Sequence, residues 1–182
     1  GYTNIANGGG YSGATSATLN ISAPPVTMDL YSYRCVVSGT CAPSTTSQMA
    51  TLYIHMPPTV ITQPTNKIAC ETFSTTFDVG AVASSSTPFS YQWFVDDGTG
   101  FVALANDATY AGVTTKLLTV SNITAAMDGY RYRCDISTPC TPGTSSNVVT
   151  LTVNLLPKIS MHPNNATICP TANTIFDVTA SG

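Results

Sequence analysis

Apolar residues fall on alternate positions through most of the chain, and a period of two marks strands with one buried face. Leu19 and Ile21 flank Asn20, Tyr31, Tyr33 and Cys35 share a face, and so do Ala50, Leu52 and Ile54. Pro57-Pro58 ends this ladder, because neither proline can donate a sheet hydrogen bond. A longer series follows, with strands expected from Thr59 to Gln63 and, after Pro64, from Asn66 to Ala69. Phe77, Val79 and Ala81 then alternate inward, as do Tyr91, Trp93 and Val95; Phe101 to Leu104 makes a short strand. Leu118 and Val120, then Tyr130, Tyr132 and Cys134, and finally Val149, Leu151 and Val153 complete the set. Between them lie a Ser/Thr/Pro loop at 83–88, the turn Asp96-Asp97-Gly98-Thr99-Gly100, a tight turn over Ile123 to Met127 and a loop at 135–146. No stretch has helical period. Two antiparallel sheets packed face to face bury such strands most economically, so the expected class is an all-β sandwich.

The pattern repeats. Asp29-Leu-Tyr-Ser-Tyr-Arg-Cys35 returns as Asp128-Gly-Tyr-Arg-Tyr-Arg-Cys134, an offset of 99 residues. The same offset, without a gap, places Cys41 on Cys140, Pro58 on Pro157, Cys70 on Cys169 and Phe77-Asp78-Val79 on Phe176-Asp177-Val178. A period of this length is a small domain copied in tandem rather than a solenoid repeat of about 20–50 residues. The expected organisation is the back half of one module over 1–56, a complete module over 57–155 and the front of a third over 156–182, a window of a longer array.

Composition narrows the function. Only 8% of the residues are charged and 43% are hydrophobic, which leaves the solvent-facing positions to Ser, Thr, Asn and Gly. Six basic against nine acidic residues, a net charge of −3 and no basic run offer nothing to neutralise phosphates, so nucleic acid is not an expected partner. No apolar run approaches the roughly 18 residues of a membrane span. Six cysteines at repeated phases, with no zinc-ligand spacing, read as disulfides of a secreted or surface-exposed chain.

No catalytic, cofactor-binding or metal site is expected. Asp96 and Asp97 sit in an Asp/Gly turn, with a calcium site as the alternative. His55 and His162 lie at different phases of the repeat, and no Ser–His–Asp set can be assembled around them. The sequons at Asn20, Asn122 and Asn165 are attributed to a chain rich in Asn, Ser and Thr. Arg34, Arg131 and Arg133 alternate outward beside aromatic residues, as solvated cross-strand contacts or as a face for a sugar or a partner's aromatic ring.

Phe77-x-Val79, Tyr91-x-Trp93, Leu118-x-Val120 and Asp128-x-x-x-Tyr132-x-Cys134 together resemble strands B, C, E and F of an intermediate-type immunoglobulin-like domain. The resemblance makes Trp93 the core tryptophan. It makes Tyr132, and Tyr33 one repeat earlier, a tyrosine corner whose hydroxyl bonds back to the chain at the E–F turn. Val79 stands where the strand-B cysteine belongs, as does Val178 in the third module, so the usual inter-sheet disulfide is absent. Local bridges Cys35–Cys41 and Cys134–Cys140 are the preferred pairing among the alternatives; Cys70 and Cys169 are left for an inter-module bridge or as free thiols.

Cys before strand B, Tyr-Gln-Trp in strand C and Tyr-x-Tyr-Arg-Cys in strand F are similar to the tandem modules of very large Bacteroidota surface proteins, among them adhesins exported by the type IX route. That resemblance implies a non-catalytic stalk or filament of a cell-surface adhesin. Its partners would be neighbouring modules, other copies in a filament paired through strands A or G, and surface glycans or proteins. The alternative is a spacer or carbohydrate-binding module of a secreted hydrolase, for which Phe94 and Tyr53 are the outward strand aromatics.

Overall fold

A computed structural model describes residues 1–140 and 142–182. The chain forms two compact units. One holds Gly1–Thr59 with the loops Ala81–Ser90 and Ile136–Thr144; the other holds Val60–Gly80, Tyr91–Asp135 and Ser145–Gly182. The units cut across the repeat because two loops of the complete module cluster with residues 1–59.

In the first unit β1 (Tyr11–Ser12) pairs antiparallel with β2 (Asn20–Ile21). After a 3-10 turn at Val26–Met28 come β3 (Ser32–Tyr33), β4 (Val36–Val37), β5 (Thr45–Thr46) and β6 (Ala50–Thr51). β3 pairs with β6 and β4 with β5, both antiparallel. Of these, β2, β3 and β6 fall within the alternation at 19–21, 31–35 and 50–54, shortened to two residues each, whereas β1, β4 and β5 lie outside it.

The complete module supplies β7 (Thr59–Thr62), β8 (Lys67–Cys70), β9 (Thr75–Asp78), β10 (Gly80–Val82), β11 (Ser90–Asp96) and β12 (Phe101–Ala103). It continues with β13 (Tyr110–Ala111), β14 (Leu117–Val120), β15 (Arg131–Ser137), β16 (Thr144–Ser145) and β17 (Val149–Asn154). One sheet runs β12-β11-β15-β17-β8, with β16 on β15; the other runs β13-β14-β9. β8 joins β17 in parallel, from Leu151 opposite Lys67 to Asn154 opposite Cys70. Both edges of β17 are thereby paired, so of the two strands expected to mediate lateral assembly the last has no free edge.

The inward residues of both sheets meet in one core. Phe77, Trp93, Leu118, Val120, Tyr132, Cys134 and Leu151 are fully buried. Burying each large apolar side chain contributes about 1.5–3 kcal/mol. Phe77 stacks on Tyr132 with ring centroids 4.8 Å apart, and Trp93 keeps its indole N–H satisfied by donating to the Thr115 carbonyl at 2.9 Å. Val79 is buried at the position where the resemblance lacks a cysteine. Its N–H bonds to the Lys116 carbonyl, and the strand is interrupted there between β9 and β10. Tyr91 and Val95 are only half-buried, whereas Asp96 at the end of β11 is buried, for a reason given below.

The repeat is geometric as well as sequential. β18 (Lys158–Met161) and β19 (Thr179–Ser181) pair with each other, and they lie 99 residues after β7 and β10, which also pair. A 3-10 turn at Ala125–Met127 likewise repeats the turn at Val26–Met28.

Candidate functional site

The most concentrated polar chemistry lies in the first unit, around an aspartate that follows a 3-10 turn. Asp29 Oδ1 accepts the Ile54 N–H at 2.8 Å; one repeat later Asp128 Oδ1 accepts the Val153 N–H at the same distance. Each carboxylate thus ties the turn before one strand to the last strand of its module, satisfying an amide that would otherwise be left without a partner.

Asp29 does more. Its oxygens also accept the Ser86 hydroxyl at 2.6 Å, the Ser85 hydroxyl at 3.1 Å and the Ser86 N–H at 3.2 Å. The Ile54 N–H first, then the Ser86 hydroxyl, hold its carboxyl at about 2, below the ordinary 3.8. Around it, Ser84 donates to the Ile54 carbonyl and bonds Thr87, whose hydroxyl accepts the Met56 N–H at 3.2 Å. Thr138 donates to the Met56 carbonyl at 2.9 Å, and the Cys140 thiol to the His55 carbonyl at 2.9 Å. Loops 84–87 and 138–140 therefore satisfy the backbone of residues 54–56, a segment leading into the Pro57-Pro58 break. This arrangement can hold a chain segment in place. Among the described residues no group of three or more metal-ligating side chains is found.

A second feature lies on the outward face of the larger sheet. The Arg133 guanidinium stands 4.6 Å from the Phe101 ring centroid and 5.2 Å from that of Phe94, and Arg131 forms an ion pair with Asp96. In the first unit Arg34 stands 4.0 Å over Tyr2, the pair one repeat before Arg133 and Phe101. Phe94 is thus covered by an arginine, while Tyr53, in the first unit, is exposed.

Several sequence expectations change. The Tyr132 hydroxyl meets the Tyr110 hydroxyl at 3.5 Å rather than the backbone of the turn, and Tyr33 meets Tyr11 at 3.0 Å in the same way. The reason is β13, which places Tyr110 beside Tyr132 with ring centroids 6.3 Å apart; the turn is held instead by Asp128. Burial, then the hydroxyl of Tyr11, raises the Tyr33 phenol to about 12. All six cysteines are free thiols, so the bridges Cys35–Cys41 and Cys134–Cys140 are not formed. Cys134 faces the core of the sheets, where burial pushes its thiol up to about 12, and Cys140 turns to His55. Cys70 and Cys169 are exposed.

Asp96 and Asp97 both close their turn. Asp96 Oδ1 accepts the Gly98 and Gly100 N–H groups at 2.8 and 2.9 Å, so the turn folds over it and buries it on the face that bears Arg131, and the Gly100 and Gly98 amides hold its carboxyl below the ordinary carboxylate value. Asp97 accepts the hydroxyl and N–H of Thr99. The Asp29 clamp was missed by the sequence reading. Its signal is the aspartate six residues before Cys35 and Cys134, present in both copies.

No family model matches the chain. Among curated proteins it is 32% identical over 133 residues to the human "Leucine-rich repeats and immunoglobulin-like domains protein 1", an alignment covering 69% of this chain and 12% of that protein. The chain therefore spans about an eighth of that relative's length. Among solved structures, an I-band fragment from titin superposes with a TM-score of 0.62 at 19% identity, over 98% of this chain and 62% of the other. The fold is tandem immunoglobulin-like β-sandwiches. The structure of Dpr2 Ig1-Ig2 in complex with DIP-Theta Ig1-Ig3 agrees, with a TM-score of 0.54 at 20% identity over 78% of this chain and 45% of the other. No helix of the described residues is long and apolar enough to cross a membrane.

Proposed function

We propose that the chain is a stretch of non-catalytic immunoglobulin-like modules from the stalk or filament of a cell-surface adhesin, of the kind found in large Bacteroidota surface proteins. The observation that carries this reading is the repeat held at 99 residues in both sequence and hydrogen bonds, with residues 54–56 and Asp29 bonded to loops 84–87 and 138–140 of the module that follows. A chain selected to hold successive modules together has use for such a joint. An uncharged, hydroxyl-rich surface and sparse charge suit a chain displayed outside the cell. Ligand recognition in this reading is left to a sheet face, such as the one bearing Arg133, or to a domain elsewhere.

Antibody raised against residues 57–155 and applied to intact cells of the producing organism tests the location. The reading predicts surface labelling that is lost after brief external proteolysis. Labelling only after permeabilisation contradicts it.

A further inference from the structure

The same chain carries an open cleft and, elsewhere, the strands that fit it. In the complete module β9 pairs with β14, Phe77 opposite Leu118, and β8 pairs with β17, Ala69 opposite Val153. One repeat earlier, among the described residues, β2 pairs only with β1 and β6 only with β3, so the edges that correspond to those taken by β9 and β8 are open. A cleft of about 990 Å³ lies in this unit, with Leu19, Tyr33 and Cys35 in its lining. These are core positions of the module. Leu118, Tyr132 and Cys134 are fully buried, whereas Leu19 and Tyr33 are half-buried and Cys35 is exposed.

One repeat later the matching strands stand unpaired. Residues 166–169 and 174–177 lie 99 places after β8 and β9, yet they join no sheet. Ile168, Ile175, Phe176 and Val178 are exposed, although Phe77 and Val79, the counterparts of Phe176 and Val178, are buried. The turn between the two segments is already set. The Ala172 N–H bonds the Cys169 carbonyl at 3.2 Å, as the Phe73 N–H bonds that of Cys70, and Thr171 has a φ of 68° where Thr72 has 70°. Asp177 is the one charged residue between Asn164 and Gly182, so these segments carry little of the charge that keeps exposed strands from pairing with other chains.

We propose that residues 166–178 of one copy add as two strands to the cleft of a second copy, joining copies head to tail. The registers of the complete module then set Phe176 opposite Leu19 and Ile168 opposite Ile54, and they bring the Phe176 ring onto Tyr33 as Phe77 stacks on Tyr132 at 4.8 Å. Main-chain bonds hold such added strands, and alternate side chains fill the cleft. One bond of the complete module has no counterpart. The Asn154 carbonyl accepts the Glu71 N–H, but Pro170 stands 99 residues after Glu71 and has no N–H to give. The acceptor concerned, the His55 carbonyl, is already satisfied by the Cys140 thiol at 2.9 Å, so the exchange leaves it with a partner. Each copy offers one cleft and one pair of strands, so the contact is heterologous and association continues until a ring closes. The inference rests on the repeat and not on the adhesin reading, because a spacer built from the same modules would associate in the same way.

The test uses the 182-residue chain with its thiols kept reduced, so that any association is non-covalent. Analytical ultracentrifugation should show species larger than the monomer that grow with concentration. Over the same range Cys35 should lose its reactivity towards iodoacetamide and approach buried Cys134, both read by peptide mass spectrometry. Phe176→Asp alters a side chain that is 63% exposed, so the fold tolerates it, and should leave a monomer with Cys35 reactive at every concentration. Cys35→Arg, at an exposed position in the cleft lining, should likewise leave a monomer. An equimolar mixture of the two variants should form pairs and nothing larger, because one keeps the cleft and the other keeps the strands. A chain that stays monomeric with Cys35 reactive, association undiminished by Phe176→Asp, or Cys35 protected in a monomer at every dilution each overturns the proposal.

Discussion

Asp29 shows how one side chain can serve both its own module and a neighbouring loop, since it accepts from Ile54, Ser85 and Ser86 together. Its carboxyl, held at about 2 against the ordinary 3.8, favours the folded arrangement above the usual carboxylate range and loses that contribution as the pH falls from about 4 towards 2. Thermal melts across this range should show a midpoint that drops in acid, and Asp29→Asn should lower the midpoint near neutral pH while flattening the drop. An acid dependence unchanged in the variant would remove Asp29 from the joint. In the core, Cys134→Ser puts a hydroxyl where a buried thiol makes a 3.7 Å contact with the Asp135 carbonyl. The cost expected from urea unfolding is about 1–3 kcal/mol, and Cys134→Ala should cost less because it buries no new polar group. Equal losses would argue that the site is filled by size alone.

At the scale of elements, the alternation of apolar residues located the strands that have a buried face. Phe77, Trp93, Leu118, Tyr132 and Leu151 all point where the period of two puts them, because a shift by one residue would expose every one of them. β13 escaped the same reading, since two residues are too few to show a period. Also missed was the turn that follows it, in which Thr115 bonds the carbonyls of Gly112 and Leu117, as Ser16 bonds those of Gly13 and Thr18. Gly112 has a φ of +75°, and a Cβ there would be driven into the Leu117 carbonyl; Gly129, at +80°, has open space around it. Gly112→Ala should therefore cost more than about 1 kcal/mol in unfolding free energy and more than Gly129→Ala, whose cost is backbone strain alone. A smaller loss at Gly112 would show that the turn is not needed for β14 to pair. Of the candidate site, the aspartate and cysteine positions were visible as repeated letters. Their partners were not, because serines at 84–86 and backbone groups at 54–56 carry no periodic signal.

For the whole molecule, the repeat is what joins fold to function. Offsets of 99 residues hold for strands, for the aspartate bonds, for the tyrosine pairs and for the arginine over an aromatic ring. A chain built by copying one unit grows by addition, with stability summed over units and joints. The most direct measurement of that claim is the size of the intact native polypeptide, released from cells by shear and detected on a denaturing gel with antibody to residues 57–155. A band on the order of several hundred kilodaltons is the predicted result for a stalk of many stacked modules. A band near the size of two or three modules plus one larger domain would contradict it and make the chain the spacer of another protein.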